Sequence, residues 1–332
     1  MRPFDYQRAE DAAGAVATVA ARPGAAFLGA GTNLVDHLKL GLTEPDLLVD
    51  VTRLPLDTVE ELPGGGLRVG ATVRNSDLAG HPAVRRDYPV LAMALLAGAS
   101  GQLRNMATTA GNLLQRTRCA YFQDVTTPCG KRTPGQGCSA LGGYTRYHAV
   151  LGASEHCIAT HPSDMAVGMA VLDPTVVVLG AHGTKRLAFE ELHRLPGEEP
   201  WRDTVLEHGD LITAVEVPAV PAARTSLYRK VRDRASYAFA LVSVAAVLEV
   251  DDGTVTDVRL ALGGVAHKPW RARRAEQVLR GGPATEDAFR AAADAELADA
   301  HPRPGNAFKV PMARGAIVAS LRELAGRQQE HR

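Results

Sequence analysis

The 332-residue chain has no cysteine before position 119 and none after position 157. That excludes a disulfide framework spread through the fold. Charge of one sign is also missing: 37 Lys and Arg balance 37 Asp and Glu. No basic excess draws the chain to nucleic acid or to anionic lipid. No apolar run reaches the roughly 18 residues that a membrane helix needs, so no membrane span is expected. The opening MRPFDYQRAEDAAG has an early acidic residue and no apolar stretch, so it does not read as a secretory signal. Internal repeats and long low-complexity tracts are absent. Aromatic residues make up only 5%, yet 45% of the chain is hydrophobic. That supplies a core for two domains, or for one large domain with insertions.

What is present is concentrated. Cys119, Cys129, Cys138 and Cys157 share a window of 39 residues. Random placement would crowd four cysteines so closely in fewer than about one chain in a hundred, so the cluster needs a chemical reason. The surrounding segment is poor in hydrophobic periodicity and rich in Gly, Thr, Pro and Arg. It has little to pack with and calls for a staple. Disulfides would need an oxidising compartment. Structural zinc usually takes close C-x2-C or C-x4-C pairs, whereas the gaps here are 9, 8 and 18 residues. An iron–sulfur cluster is larger and accepts ligands dispersed along a loop. Spacing favours the cluster but leaves zinc and unliganded or disulfide-bonded thiols open. His148, His156 and His161 lie nearby. Four sulfurs already complete a site, so these read as loop histidines in water.

The first part of the chain reads as a helix at 9–21, a strand at 25–28, a glycine turn at 29–33, a helix or extended arm at 34–40 and a strand at 46–51. A strand at 67–73, an apolar helix at 88–99 and a second glycine loop at 101–114 follow. Ser163 and Asp164 look like the cap of a helix over MAVGMAVLD, and 175–179 is a buried strand. The proline-rich stretch 217–224 is the best domain boundary. Strands at 239–250 and 255–262 then precede helices at 270–279, 286–300 and 312–327.

Two loops could carry chemistry. Leu28, Gly29, Ala30, Gly31, Thr32, Asn33 and Leu34 follow a strand. Such a loop exposes successive N–H groups, and glycine lets them approach a phosphate closely. Asp50 lies 19 residues beyond Gly31, which superficially fits a dinucleotide fingerprint. Leu34 replaces its third glycine, so a tight strand–helix turn explains the loop equally well. The second loop, around Thr108, Gly111 and Asn112, repeats the chemistry, and two such loops could grip a diphosphate. Its plain alternative is a helix–strand connection. Asp164 could accept from a ribose or ribitol hydroxyl, or cap its helix. Lys230, in SLYRKVRDR, could hold a phosphate or simply face water.

Taken in order, FLGAGTNLVDHLK, DLLVDV, LRNMATTAGNL, HPSDMAVGMAVLD, DLITAVEVP and LYRKVRDRASYAFALVSVAA resemble the FAD-binding medium subunit of the molybdenum hydroxylases. That is the xanthine dehydrogenase and aldehyde oxidoreductase family, and the resemblance covers essentially the whole chain. Most members run directly from the second loop into the aspartate helix. Here a segment of about 115–160 intervenes, with RCAYFQDVTTPCGKR, GCSA and HAVLGASEHC. It is similar to the medium subunit of bacterial periplasmic-type aldehyde oxidoreductases, which carries an added 4Fe-4S cluster.

The resemblance implies an α+β fold. A two-part FAD-binding domain would span 1–220, with the insertion, and a C-terminal α/β sandwich domain would span 225–332. It implies non-covalent FAD where the two domains meet. Residues 28–34 would wrap the pyrophosphate, and Thr108, Gly111 and Asn112 would complete the grip. Asp164, Lys230 and the apolar flavin contact Ile212 would belong to the same site. Ala110 stands where the family has glycine. All four cysteines would ligate the cluster. No catalytic residue is implied on this chain. Electrons would come from a small 2Fe-2S subunit and leave to an external acceptor, while substrate is oxidised at a molybdenum cofactor on a large subunit. The chain would fold in the cytoplasm, or reach the periplasm with a signal-bearing partner. Two other readings are a nicotinamide-dependent Rossmann dehydrogenase, which leaves the cysteines unexplained, and a zinc-stapled assembly module that is not an enzyme.

Overall fold

Strands β1 (Asp5–Arg8), β2 (Ala25–Leu28) and β3 (Leu47–Asp50) form a parallel sheet in the order β1-β3-β2. The structure is a computed structural model and describes residues 1–330. Parallel neighbours need a crossover, and the helix Ala12–Ala21 supplies the first. Asp11 caps it by accepting from the Gly14 N–H at 2.7 Å. Val16 and Val19 bury against Val49 and Leu47. The expected helix at 9–21 therefore starts later, and β1 has no counterpart among the strands expected from the sequence. Its four residues are all exposed, so no hydrophobic alternation marks it. Pairing with β3 alone makes it a strand. Residues Leu34–Leu40 are a helix, closed by Gly41 in the left-handed region at φ 68°.

The second sheet is antiparallel. It holds β4 (Val59–Glu61), β5 (Leu67–Gly70), β6 (Thr175–Gly180), β7 (Gly183–Ala188) and β8 (Leu211–Val217), ordered β4-β5-β8-β6-β7. Strand β7 is likewise absent from the sequence-based expectation, and it is solvent-facing along nearly its whole length. The third sheet is antiparallel too: β9 (Ser226–Val231), β10 (Val242–Asp251), β11 (Thr254–Gly263) and β12 (Trp270–Arg271), ordered β12-β11-β10-β9. Trp270 thus lies in a strand, and the helix expected from 270 begins at Arg273.

Alternation along β10 joins the halves of the molecule. Val242, Val244, Ala246 and Leu248 face a core closed by the helices Arg273–Leu279, Glu286–Leu297 and Lys309–Glu330. Ala245 and Val247 face the other way, because successive strand side chains point to opposite sides. There they meet the helices Pro89–Ala97 and Asp164–Ala170, which also cover Val69, Val176 and Val215 of the second sheet. The Pro89–Ala97 helix is shorter than expected at both ends, with Pro89 at its first position and Gly98 as its cap. Within 115–160, one four-residue helix (Ala120–Gln123) and an isolated antiparallel backbone β-bridge between residues Cys129 and Cys138 are the regular structure present. No helix among the described residues is long and apolar enough to cross a membrane.

Candidate functional site

The loop after β2 is built to expose its backbone. Gly31 has φ +76°, and a Cβ there would stand 2.8 Å from Val35 Cγ2. The N–H groups of Gly29, Ala30, Gly31, Thr32 and Asn33 find no partner among the described residues. A run of five successive free donors is of the kind that can bind an anion.

The second glycine loop lies against it. A Cβ on Gly29 would come within 3.2 Å of Thr108 Oγ1, and one on Gly111 within 2.8 Å of the same oxygen. Thr108 Oγ1 accepts from the Gly111 N–H at 3.3 Å, capping the short helix Thr109–Leu113. This loop is pinned to the second sheet. The N–H groups of Thr109 and Ala110 donate to the Val73 and Ala71 carbonyls at 2.9 Å each. The two loops, distant in sequence, therefore meet at Gly29 and Thr108.

Two side-chain amides of these loops serve the scaffold. Asn112 Nδ2 donates to Asn75 Oδ1 at 2.6 Å, and its own Oδ1 accepts from Ser163 Oγ and from Gln115 Nε2. Asn33 Oδ1 accepts from the Arg116 N–H at 3.0 Å. Either residue would meet a ligand mainly through its backbone.

Asp164 and Lys230 form a buried pair at 2.7 Å, with side chains 7% and 5% exposed. Tyr228 donates its hydroxyl to Asp164 Oδ1, and Lys230 Nζ also donates to the Ala97 carbonyl at 3.0 Å. Both plain readings are corrected. Ser163, not Asp164, caps the helix, accepting from the Ala166 N–H at 2.9 Å. Lys230 does not face water. Burial, and then the negative Asp164, hold the Tyr228 phenol well above its ordinary range. Tyr228 went unnoticed in the sequence. Period-two spacing, which puts residues 228 and 230 on one face of β9, could have found it. Ile212 is 1% exposed on β8 and belongs to the central core.

Residues 2–220 match the family described as the FAD binding domain in molybdopterin dehydrogenase. Residues 226–323 match the CO dehydrogenase flavoprotein C-terminal domain. The aldehyde oxidoreductase FAD-binding subunit PaoB of Escherichia coli is 52% identical over 97% of this chain and 98% of its own. The chain belongs to the FAD-binding subunits of the molybdenum hydroxylases. It is a flavoprotein subunit of that type of oxidoreductase complex. Relatives farther off share the fold. A chain of the carbon monoxide dehydrogenase from Hydrogenophaga pseudoflava superposes with a TM-score of 0.77 at 25% identity, covering 98% of this chain and 99% of its own. A chain of quinoline 2-oxidoreductase from Pseudomonas putida gives 0.76 at 22% identity, covering 98% of both.

Membership in this family corrects the nicotinamide reading, and the geometry agrees. The parallel sheet ends at β3, and the sheets that follow are antiparallel. Asp50 is also committed elsewhere: Thr52 donates to its Oδ1 through N–H and hydroxyl at 2.8 and 2.6 Å, and Tyr6 donates to Oδ2.

The cysteine insertion is held by ordinary side chains. Lys131, 3% exposed, bonds the Asp203 carboxylate, with its Nζ 2.7 Å from His267 Nε2 and 3.0 Å from the Pro200 carbonyl. Arg116 Nε donates to the other Asp203 oxygen at 2.6 Å. Burial works to raise the Asp203 carboxyl, but the charges of Lys131 and then Arg116 hold it well below the usual range. Burial, and then the Lys131 charge, lower His267 to about 4. Its Nδ1–H donates to the Arg194 carbonyl while neutral Nε2 accepts from Lys131.

All four cysteines are free thiols, Cys129 and Cys157 buried and the other two half-buried. They lie near enough to act on one another. Burial raises the Cys119 thiol, and Cys129 and Cys138 add to it. Burial pushes Cys157 up to about 11, although Lys131 opposes this, and Cys138 and Cys119 add to the rise. Among the described residues, no group of three or more His, Cys, Asp or Glu is placed to hold a metal ion. The histidines also differ from expectation. His148 is buried with Nε2 3.2 Å from Cys119 Sγ, and His161 is buried beside His193. His156 stays near water, 2.8 Å from Glu198.

Proposed function

We propose that this chain is the electron-transfer subunit of a molybdenum-dependent aldehyde oxidoreductase and binds FAD across its two glycine loops. The carrying observation is the run of five unpartnered N–H groups, Gly29 to Asn33, which meets the second loop where Gly29 lies against Thr108. The two glycines leave open a cradle that any Cβ would crowd. Convergent backbone donors favour a pyrophosphate, and the Thr108 hydroxyl lies between the loops to orient it. The Asp164–Lys230 pair, desolvated and fixed by Tyr228, offers a charged anchor for the polar part of the cofactor. Bound FAD exchanges electrons singly or in pairs, which suits a junction between one-electron clusters and an external acceptor.

Aldehyde as substrate is supported by the 52% identical relative, the FAD-binding subunit of an aldehyde oxidoreductase. The oxidation would take place on a molybdenum-bearing large subunit, and a small 2Fe-2S subunit would pass the electrons on.

Cys119, Cys129, Cys138 and Cys157 would hold one 4Fe-4S cluster. Four soft sulfur donors on one loop suit iron–sulfur chemistry. A cubane's corners stand apart, so its thiolates need not converge as they would on a single ion. The cluster would serve structure more than electron flow.

Purification with partner subunits tests the reading. Acid should release the flavin, and phosphodiesterase should convert it to FMN. The spectrum should show two flavin bands and a broad brown shoulder. The chain alone, loaded with FAD, should not oxidise aldehydes. No flavin in the complex, or aldehyde turnover without molybdenum, would overturn the assignment.

A further inference from the structure

The helix Thr109–Leu113 ends the second glycine loop, and the last carbonyls of a helix lack partners within it. The Leu113 carbonyl receives two imidazoles: His193 Nε2 at 2.9 Å and His161 Nε2 at 3.3 Å. A carbonyl only accepts, so both Nε2 atoms carry the hydrogen. Nδ1 of His161 accepts from the Ser163 N–H at 3.4 Å, which requires the same neutral tautomer. The two rings meet edge to face with centroids 4.5 Å apart.

His161 also ends the cysteine insertion. It lies four residues beyond Cys157, and its own N–H donates to the Ala266 carbonyl at 3.0 Å. The other end of the insertion reaches the first glycine loop. The Arg116 N–H bonds Asn33 Oδ1, and buried Phe122 meets His37 edge-on at 5.8 Å. The insertion thus abuts both loops, one from each end.

We propose that His161 is a positioning residue for FAD, through which closure of the cysteine loop around its cluster and binding of FAD are thermodynamically linked. The inference rests on the FAD and cluster assignments made above. An ordered cysteine loop holds His161 on the Leu113 carbonyl. The held carbonyl keeps Thr108, through the short helix it caps, at its close approach to Gly29. Linkage is reciprocal, so bound FAD must stabilise the cluster by the same factor.

The test uses the assembled complex, with flavin and iron counted first. Absence of either from wild type overturns the underlying reading, and this inference with it. With both present, FAD is removed and titrated back by fluorescence quenching. His161→Phe keeps ring volume but loses the donor, and should raise the FAD Kd about tenfold with cluster iron retained. His161→Gln keeps a donor at similar reach and should stay within about threefold of wild type. Cys157→Ser, which loses the cluster, should also raise the Kd, yet add under about twofold in the His161→Phe background. An unchanged Kd in His161→Phe, or fully additive effects, would overturn the linkage. If His161→Phe fails to assemble, bleaching of the wild-type cluster by a chelator decides. Slower bleaching with FAD bound supports the linkage, and equal rates with and without FAD refute it.

Discussion

Asp164 and Lys230 stand 2.7 Å apart, 66 positions apart in the chain, with both side chains almost sealed from water. Removing two charges from water is costly unless their pairing and further hydrogen bonds offset it. Tyr228 and the Ala97 carbonyl supply those bonds. Asp164→Ala would leave Lys230 buried and unpaired, a loss of about 3–5 kcal/mol. The expected outcome is a lower thermal midpoint and reduced flavin per chain, with iron content intact. Flavin occupancy equal to wild type would restrict Asp164 to a scaffold role.

Gly31 is a position in the first loop where a side chain is poorly tolerated. Its φ is +76°, and a Cβ there would lie only 2.8 Å from Val35 Cγ2. A branched residue would be strained and would crowd the N–H cradle. Gly31→Val should abolish flavin binding and leave the cysteine loop's iron in place. Flavin absorbance retained at the wild-type ratio would contradict the placement of the pyrophosphate.

The double variant Cys129→Ser, Cys138→Ser should remove about four irons per chain. The insertion should nonetheless stay docked where Lys131 and Arg116 grip Asp203. Hydrogen exchange should rise around residues 135–157 before it rises around Lys131. Unchanged iron in the double variant would refute cysteine ligation of the cluster.

Acid should destabilise the fold through its neutral buried histidines. Burial, followed by the Lys131 charge, lowers His267 to about 4, although Asp203 opposes the shift. Burial also lowers His193 to about 4, with Lys268 adding to the effect while the Leu113 carbonyl and Asp203 oppose it. Between about pH 6.5 and 4 the unfolded chain binds these protons and the folded chain does not. Stability is therefore full above pH 6.5 and falls by about 1.4 kcal/mol per pH unit for each such histidine as the pH drops through that window. His267→Gln should flatten the dependence of the thermal midpoint on pH between 7 and 5. A slope equal to wild type would show that His267 is not neutral in the folded protein.

The glycine loops and the cysteine cluster were legible because their chemistry is local. A left-handed turn or a close backbone approach demands glycine wherever it occurs, and Gly29, Gly31 and Gly111 announce it. Four thiols in one segment likewise need no partner elsewhere to be noticed. Long strands such as β10 and β11 could be read from their apolar residues. The exposed strands β1 and β7 could not, since only their neighbours make them strands. The charged residues misled for the same reason. Lys230 reads as solvated and His161 as a loop histidine, because sequence alone does not say which groups will face each other. Tertiary structure decided that Asp164 meets Lys230, that Asp203 gathers Lys131 and Arg116, and that two imidazoles share the Leu113 carbonyl. The cost of burying a charge or a polar atom depends on the partner that folding brings to it, and these partners come from distant parts of the chain.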